Sequence, residues 1–199
     1  MASEIELKAV VPDAAALRQA LDQAGAVLRF HGMMRDRRLD RSGELSGRDE
    51  VLRVRLWAEP DGGHLLAEAA WKGPTSVNPA GYKQREEIQF TVADGSATLR
   101  MFEALGYTVV ESIDRYVEVF DLDGTIARIE WFPRMDVLVE IEGTPEGIER
   151  VIGLSGLSRD SCLPDSLASF SRRYQDRTGQ PGILAEELLV GASPSWTTR

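Results

Sequence analysis

Five segments of the chain alternate charged and aliphatic residues with a period of two, which is the pattern of β-strands with one charged and one apolar face. They are residues 3–11, 51–58, 82–92, 125–132 and 136–142. In the first, Glu4, Glu6 and Lys8 share one face, while Ile5 and Leu7 share the other. An aliphatic strand face must pack against another element, so the alternation predicts a β-sheet covered on one side.

The remaining segments supply further strands and several helices. Extended stretches are predicted at 27–41, 64–72 and 107–121, with hairpin turns at the DGG and DLDG sequences of 61–63 and 121–124. Helices are predicted at about 13–24, 95–105, 145–153 and 165–177, and Gly25 and Gly106 end the first two. An even number of antiparallel strands can close on itself and so remove both sheet edges. We therefore predict an α+β protein, an eight-stranded antiparallel closed β-barrel (a tunnel) with flanking helices.

This domain is predicted to span residues 1–178. Residues 179–199 form a poorly specified C-terminal tail with one short apolar helix candidate, ILAEELLV at 183–190.

The charge balance narrows the classes of partner. With 23 basic and 32 acidic residues among 199, the formal net charge is −9, which argues against binding nucleic acid or an anionic membrane surface.

No apolar run approaches the roughly 20 residues of a membrane helix. The N-terminus has no apolar signal region, and Cys162 is a single cysteine. We therefore expect a cytoplasmic protein, either a monomer or a homodimer.

Charged strand faces can look toward water or toward each other inside a barrel. Exposure to water is the usual outcome for a single strand of this kind. Here, however, the amphipathic helices need an apolar surface to cover, and the aliphatic strand faces are the obvious one. If the helices cover those faces, the charged faces converge.

The two signs of charge are also sorted along the chain. The first and last strands are rich in carboxylates, and a closed barrel would bring Glu4, Glu6, Glu140 and Glu142 together. Such a cluster needs a cation, and Mg²⁺ or Mn²⁺ prefers oxygen ligands. The strands between them supply basic residues: Arg53, Arg55, Lys72, Lys83, Arg85 and Arg115. Guanidinium groups match phosphate oxygens, so the two walls together predict a site for a polyphosphate and a divalent cation.

An ordered set of short motifs accompanies this pattern. It begins with Glu-Ile-Glu-Leu-Lys at 4–8 and continues with Leu-Arg-Val-Arg at 52–55 and Trp-Lys-Gly-Pro at 71–74. Arg-Glu-Glu-Ile at 85–88, Leu-Gly-Tyr at 105–107 and Val-Glu-Ile-Glu-Gly at 139–143 complete it. Over roughly residues 3–175 the chain resembles the CYTH superfamily, the triphosphate tunnel metalloenzymes. The resemblance implies an eight-stranded tunnel that binds a triphosphate together with a divalent metal.

The resemblance also assigns roles by position. It implies metal-side carboxylates at Glu4, Glu6, Glu87, Glu140 and Glu142. It implies phosphate-binding groups at Lys8, Arg53, Arg55, Lys72, Arg85, Arg115 and Arg128. Lys8 and Glu130 are the candidates for catalysis. The chain departs from the family at Ile113, where a lysine is common, and at Glu130, where an aspartate is common.

The function expected from these assignments is the metal-dependent hydrolysis of inorganic triphosphate or of a small organic triphosphate such as ATP or thiamine triphosphate, with Mg²⁺ or Mn²⁺ as cofactor. One alternative is a class IV adenylate cyclase, which forms cyclic AMP and pyrophosphate from ATP. A second is a non-catalytic module that binds nucleotides or polyphosphate. The sequence does not separate hydrolase from cyclase, because both need the same phosphate-binding walls.

Overall fold

A computed structural model describes residues 3–61 and 65–198 of the chain. The strands are β1 (Ser3–Val10), β2 (Val27–Asp40), β3 (Val51–Ala58), β4 (Leu65–Lys72), β5 (Ser76–Val77), β6 (Lys83–Val92), β7 (Thr108–Leu122), β8 (Thr125–Trp131) and β9 (Leu138–Glu142). The α-helices are α1 (Ala14–Gln23), α2 (Gly95–Ala104), α3 (Pro145–Ser155) and α4 (Leu167–Thr178).

Eight of the strands form a closed antiparallel barrel, as predicted. The strand order is β1-β9-β8-β7-β2-β3-β4-β6, and β1 pairs with both β9 and β6, which closes the sheet. The two-residue β5 pairs with Lys83 and Gln84 at the N-terminal end of β6. In this order β2 lies four strands from β1 in either direction, so the two strands face each other across the barrel.

The aliphatic strand faces point outward, and α1 and α3 cover those of β1 and its neighbours. Leu7 and Ala9 of β1 are fully buried in a core that includes Leu17 and Leu21 of α1 and Ile148 of α3. This packing leaves the alternate side chains of β1 on the inner face. The charged faces therefore converge inside the barrel.

Helix α2 covers β3 and β4 at very short range. A side-chain carbon at Gly95, the first residue of the helix, would lie 2.3 Å from Leu56 Cδ2 and 3.0 Å from Ala67 Cβ. Any larger residue at position 95 would have to displace the Leu56 side chain.

A second, smaller core lies where α4 packs against the barrel. Leu167 and Phe170 of α4 contact Ile113, Phe132 and Leu138, all of them buried. Ile113 and Arg115 lie two positions apart on β7, so both side chains lie on the inner face of the strand. Ile113 packs with α4, whose residue Leu167 lines the cavity, whereas Arg115 reaches the charged part of the interior.

The tail differs from its sequence prediction. Residues 183–190 do not form an α-helix, and the only helical turn there is a 3₁₀ turn at Glu186–Leu188. The backbone of this segment is bonded to the barrel instead: Asp114 N–H donates to the Leu184 carbonyl at 2.7 Å, and Glu186 N–H donates to Asp114 Oδ2 at 2.9 Å. Ile183 also pairs with Arg134. These bonds satisfy backbone groups that a helix would otherwise satisfy internally.

Of the predicted turn at 61–63, residues 62 and 63 lie outside the described residues. Among the residues that are described, no helix is both long and apolar enough to cross a membrane.

Candidate active site

The barrel encloses a charged cavity of about 210 Å³. Nine basic and five acidic side chains line it, which leaves four positive charges in excess. The basic residues are Lys8, Arg38, Arg53, Arg55, Lys72, Lys83, Arg85, Arg115 and Arg128. The acidic ones are Glu6, Asp36, Asp49, Glu130 and Glu140. In a protein with a net charge of −9, this cavity is a local concentration of positive charge suited to a small polyanion.

A group of three carboxylates lies at the β1–β9 side of the barrel. Glu4, Glu140 and Glu142 each bring one carboxylate oxygen to within 4.8 Å of the others. Burial raises the pKa of Glu142, and the neighbouring Glu4 raises it further. Hard oxygen donors at this spacing could hold a divalent cation, which would compete with the lysines paired to Glu4 and Glu140.

Two other carboxylates with a predicted metal role are engaged by basic side chains. Glu6 accepts hydrogen bonds from Lys8 Nζ at 2.7 Å and Lys83 Nζ at 2.5 Å. Burial raises the pKa of Glu6, but these lysines outweigh it and hold the pKa well below its usual value. Glu87 lies 3.2 Å from Lys72 and 3.4 Å from Arg53. Neither Glu6 nor Glu87 belongs to the three-carboxylate group.

Three arginines from β3 and β7 surround a single aspartate on β2; we call Asp36, Arg53, Arg55 and Arg115 the arginine wall. Arg55 donates from Nε and Nη2 to the two Asp36 oxygens at 2.7 and 2.9 Å. Arg115 Nη2 donates to Asp36 at 2.8 Å, and Arg53 Nη1 lies 3.7 Å away. Burial raises the pKa of Asp36, but the three guanidinium groups hold it well below its usual value.

A chain of ion pairs joins the arginine wall to the carboxylate group. Glu130, which is 2% exposed, lies 3.2 Å from Arg115 Nε and accepts from Arg128 Nε at 2.9 Å. Arg128 also bonds Glu140, and Glu140 lies 2.5 Å from Lys8. Burial raises the pKa of Glu130, but Arg115, Arg128 and Lys8 together lower it. Glu130 is therefore ionised at neutral pH.

Arg85 lines the cavity but is bound to the backbone. Its guanidinium donates to the Gly73 carbonyl, to the Asp49 carbonyl at 3.1 Å and to the Lys72 carbonyl at 3.3 Å. It thereby joins the end of β4 to the loop before β3. Arg85, which is predicted to bind phosphate, thus also stabilises the backbone at the edge of the cavity.

The structure brings most of the predicted site residues to one cavity. Eleven of them line it: Glu6, Lys8, Arg53, Arg55, Lys72, Lys83, Arg85, Arg115, Arg128, Glu130 and Glu140. Glu4 and Glu87 contact the lining residue Lys72, and Glu142 belongs to the carboxylate group with Glu140.

Asp36 and Arg38 were missed by the sequence analysis, although both line the cavity. The signal was present, because Met34, Asp36 and Arg38 alternate within a segment that was interpreted only as extended. No aliphatic residues lie between them to mark an outer face, since Arg35 and Arg37 occupy those positions. The pairing of Asp36 with Arg55 across β2 and β3 is what places its side chain inside.

Comparison with known proteins shows likeness of structure rather than of sequence. No protein-family model and no curated protein matches the chain. A conserved hypothetical protein from Pyrococcus furiosus has a TM-score of 0.66 at 17% identity, over 84% of this chain and 99% of its own. A Vibrio parahaemolyticus protein named as a putative adenylate cyclase has a TM-score of 0.71 at 17% identity, over 84% of this chain and 96% of its own.

A Hippeastrum protein is also similar, with a TM-score of 0.56 and 17% identity over 77% of this chain and 84% of its own. Its name is putative adenylyl cyclase, and it is described as having a dominant triphosphatase activity. This chain has the same fold as these proteins. At such identities the likeness concerns the fold, and the chemistry has to be argued from the side chains of the cavity.

Proposed function

We propose that the chain belongs to the CYTH superfamily and is a metal-dependent hydrolase of inorganic triphosphate or a small organic triphosphate. The observation that carries the proposal is a barrel cavity lined by nine basic side chains, with a group of three carboxylates at one side that reaches the cavity through Glu140. A polyphosphate bound together with a cation is the ligand class that uses both.

The carboxylate group fits a divalent cation. Its three members are oxygen donors, two of them are buried, and the raised pKa of Glu142 reflects burial and like charge. A Mg²⁺ or Mn²⁺ ion held by Glu4, Glu140 and Glu142 would neutralise phosphate charge and polarise a phosphoryl oxygen. Glu6 and Glu87 are less direct candidates, because neither belongs to the group of three carboxylates whose oxygens lie close together.

The basic side chains would bind and orient the phosphate chain. Phosphoryl transfer depends mainly on positioning and on neutralising charge on the phosphate oxygens. Arg53, Arg55 and Arg115 offer guanidinium donors on one wall, and Lys8 and Arg128 offer donors beside Glu140. Water is the nucleophile in this proposal, and the products are orthophosphate and the shortened phosphate chain.

Glu130 would act by orientation rather than as a proton donor. Because its pKa is lowered, its carboxylate carries no proton to give at neutral pH. It holds Arg115 and Arg128 at 3.2 and 2.9 Å, and these two arginines lie on adjacent strands. Lys8 lies between Glu6 and Glu140, and its flexible side chain would let the ammonium group donate to a bound phosphate.

A class IV adenylate cyclase is the second candidate, and the name of the Vibrio parahaemolyticus protein favours it. The triphosphatase activity described for the Hippeastrum protein favours the hydrolase instead. In that reaction the ribose 3′-hydroxyl attacks and pyrophosphate leaves. The deciding experiment is product analysis after incubation with triphosphate, ATP and thiamine triphosphate in the presence of Mg²⁺ or Mn²⁺. Orthophosphate supports the hydrolase, cyclic AMP with pyrophosphate supports the cyclase, and binding without either product supports a non-catalytic module.

A further inference from the structure

Asp36 is an unusual residue for a site proposed to bind phosphate. It is 1% exposed and lies on β2, across the barrel from the strand that carries Glu4. Asp36 does not belong to the group of three carboxylates that could hold a cation. Its partners are the basic residues of the arginine wall, so its charge opposes the proposed ligand at the surface that should attract it.

The bonds of Asp36 use donors that a phosphate group would otherwise use. It occupies Nε and Nη2 of Arg55, which form one complete side of the guanidinium fork, and Nη2 of Arg115. Phosphate oxygens are bound bidentately through this same geometry. Asp36 therefore acts as an anion built into the wall, and it reduces the charge of three guanidinium groups from three to two.

The wall nevertheless retains unused capacity for an anion. Arg53 is 7% exposed, and its buried Nε has no hydrogen-bond partner among the described residues. Burial and the neighbouring Arg55 lower the pKa of Arg53 to about 10. A cationic group in this state would gain from a bound anion, so the wall could bind phosphate even with Asp36 present, but less strongly than three unopposed arginines would.

We propose that Asp36 is a specificity-determining residue that weakens the hold of the arginine wall on phosphate groups and so lets short anionic products leave. The proposal rests on the proposed function, because it takes a triphosphate as substrate and pyrophosphate as a product. A triphosphate can contact the arginine wall and the carboxylate side, through a cation, at the same time. Pyrophosphate is one phosphate group shorter and depends more on a single wall, so its release is governed by the charge of that wall.

The competing explanation is that Asp36 only holds the arginines in position. The two explanations predict opposite changes in affinity when the charge is removed and the shape is kept. If Asp36 competes with phosphate, removing its charge frees the guanidinium donors and phosphate binds more tightly. If Asp36 only supports the arginines, removing its charge lets the guanidinium groups separate and phosphate binds more weakly.

The test measures the dissociation constants of pyrophosphate and triphosphate by titration calorimetry in chelator-containing buffer, where turnover does not interfere. Asp36→Asn is expected to bind pyrophosphate at least tenfold more tightly than the wild type, and to show stronger product inhibition when metal is restored. Asp114→Asn is the matched control, since Asp114 is 3% exposed and bonded to Arg37 Nη1 at 2.9 Å but contacts the C-terminal tail at Glu186. It is expected to leave the dissociation constants unchanged within twofold.

A second pair of variants covers the case in which Asp36→Asn does not fold. Removing both partners of a buried ion pair is better tolerated than removing one. Asp36→Asn combined with Arg115→Gln is expected to bind pyrophosphate at least tenfold more tightly than Arg115→Gln alone. Equal or weaker binding after loss of Asp36, or no detectable binding by any variant, overturns the proposal.

These measurements also separate the inference from the proposed function. If the wild type binds triphosphate but releases no orthophosphate with metal, the hydrolase is wrong. The comparison of dissociation constants still decides the role of Asp36 in that case.

Discussion

The ammonium group of Lys72 on β4 lies 2.7 and 2.5 Å from the two carboxylate oxygens of Glu4 on β1. Glu4 is also one of the three carboxylates grouped at the β1–β9 side. A cation bound by Glu4 would therefore compete with Lys72, and displacement of the lysine would free its ammonium group for a phosphate. The proposed metal and phosphate ligands would then be linked through this ion pair and through those of Glu140 with Lys8 and Arg128.

The first prediction concerns that linkage. Saturating Mg²⁺ is expected to tighten triphosphate binding at least tenfold, and triphosphate must tighten Mg²⁺ binding by the same factor. Lys72→Gln should shift the two affinities in opposite directions, with tighter Mg²⁺ binding and weaker triphosphate binding. Calorimetric titrations of each ligand with and without the other would measure this, using a non-hydrolysable triphosphate analogue. Independent binding of the two ligands would refute the linkage.

The second prediction concerns Glu142 and pH. Its folded-state pKa is raised by burial and by Glu4, so the folded protein is penalised when Glu142 is ionised. Lowering the pH from above the raised pKa toward the ordinary glutamate value, about 4.3, removes the penalty and stabilises the wild type. Glu142→Gln should raise the melting temperature of the metal-free protein at pH 7 by about 2 °C or more. The advantage over the wild type should shrink as the pH falls toward 5.

Metal provides the control for that variant. If Glu142 is a ligand, Glu142→Gln should lose most of the melting-temperature rise that Mg²⁺ gives the wild type. Below about pH 4 both proteins should lose stability together, because the lowered pKa values of Glu6 and Asp36 mean that their protonation favours unfolding. An equal metal-induced rise in both proteins would mean that Glu142 does not bind the cation.

The third prediction contrasts two arginines with the same proposed ligand. Arg53→Ala should leave the stability of the ligand-free protein unchanged or raise it, because Arg53 is a buried cation beside Arg55 with one unpaired donor. Arg85→Ala should lower that stability by about 1.5–3 kcal/mol, because the carbonyls of Gly73 and Asp49 lose a charged donor. Both should weaken triphosphate binding. Urea unfolding with and without triphosphate measures both effects.

The fourth prediction concerns Glu130. Glu130→Gln keeps the side-chain shape but removes the charge that holds Arg115 and Arg128. The maximal rate should fall by about 10- to 100-fold, since misplaced phosphate ligands raise the barrier of the chemical step. The Mg²⁺ dissociation constant should change little, because Glu130 is not one of the three grouped carboxylates. An unchanged maximal rate with a higher Michaelis constant would show that Glu130 affects binding alone.

The sequence was sufficient to predict the barrel because the period-two alternation of the strands and the helical period of the amphipathic helices both require a shared apolar surface. Aliphatic residues such as Leu7 recur every second position in the strands and need the apolar faces of helices such as α1. That requirement forces the alternate residues, Glu4, Glu6 and Lys8 among them, to the inside. The direction of the charged faces followed from packing rather than from the charges themselves.

The sequence was not sufficient to predict which charges pair. Glu6 and Glu4 lie two positions apart on one strand, yet Glu4 joins the carboxylate group while Glu6 pairs with Lys83. The register between β1 and β6 sets this difference by aligning Glu6 with Lys83. Asp36 was missed for a related reason, since its role depends on its alignment with Arg55 on the neighbouring strand. Pairing register is a long-range property that local alternation does not reveal.

We propose that a cation and a triphosphate meet in this cavity and that the triphosphate is cleaved there. The most direct measurement is the rate of orthophosphate release from inorganic triphosphate at pH 7, with and without Mg²⁺ or Mn²⁺, for the wild type and Glu140→Gln. We predict steady release that requires added metal, is abolished by a chelator, and falls at least 100-fold in the variant while the protein stays folded. Orthophosphate release that is equally fast in chelator, or equally fast in Glu140→Gln, would contradict the account.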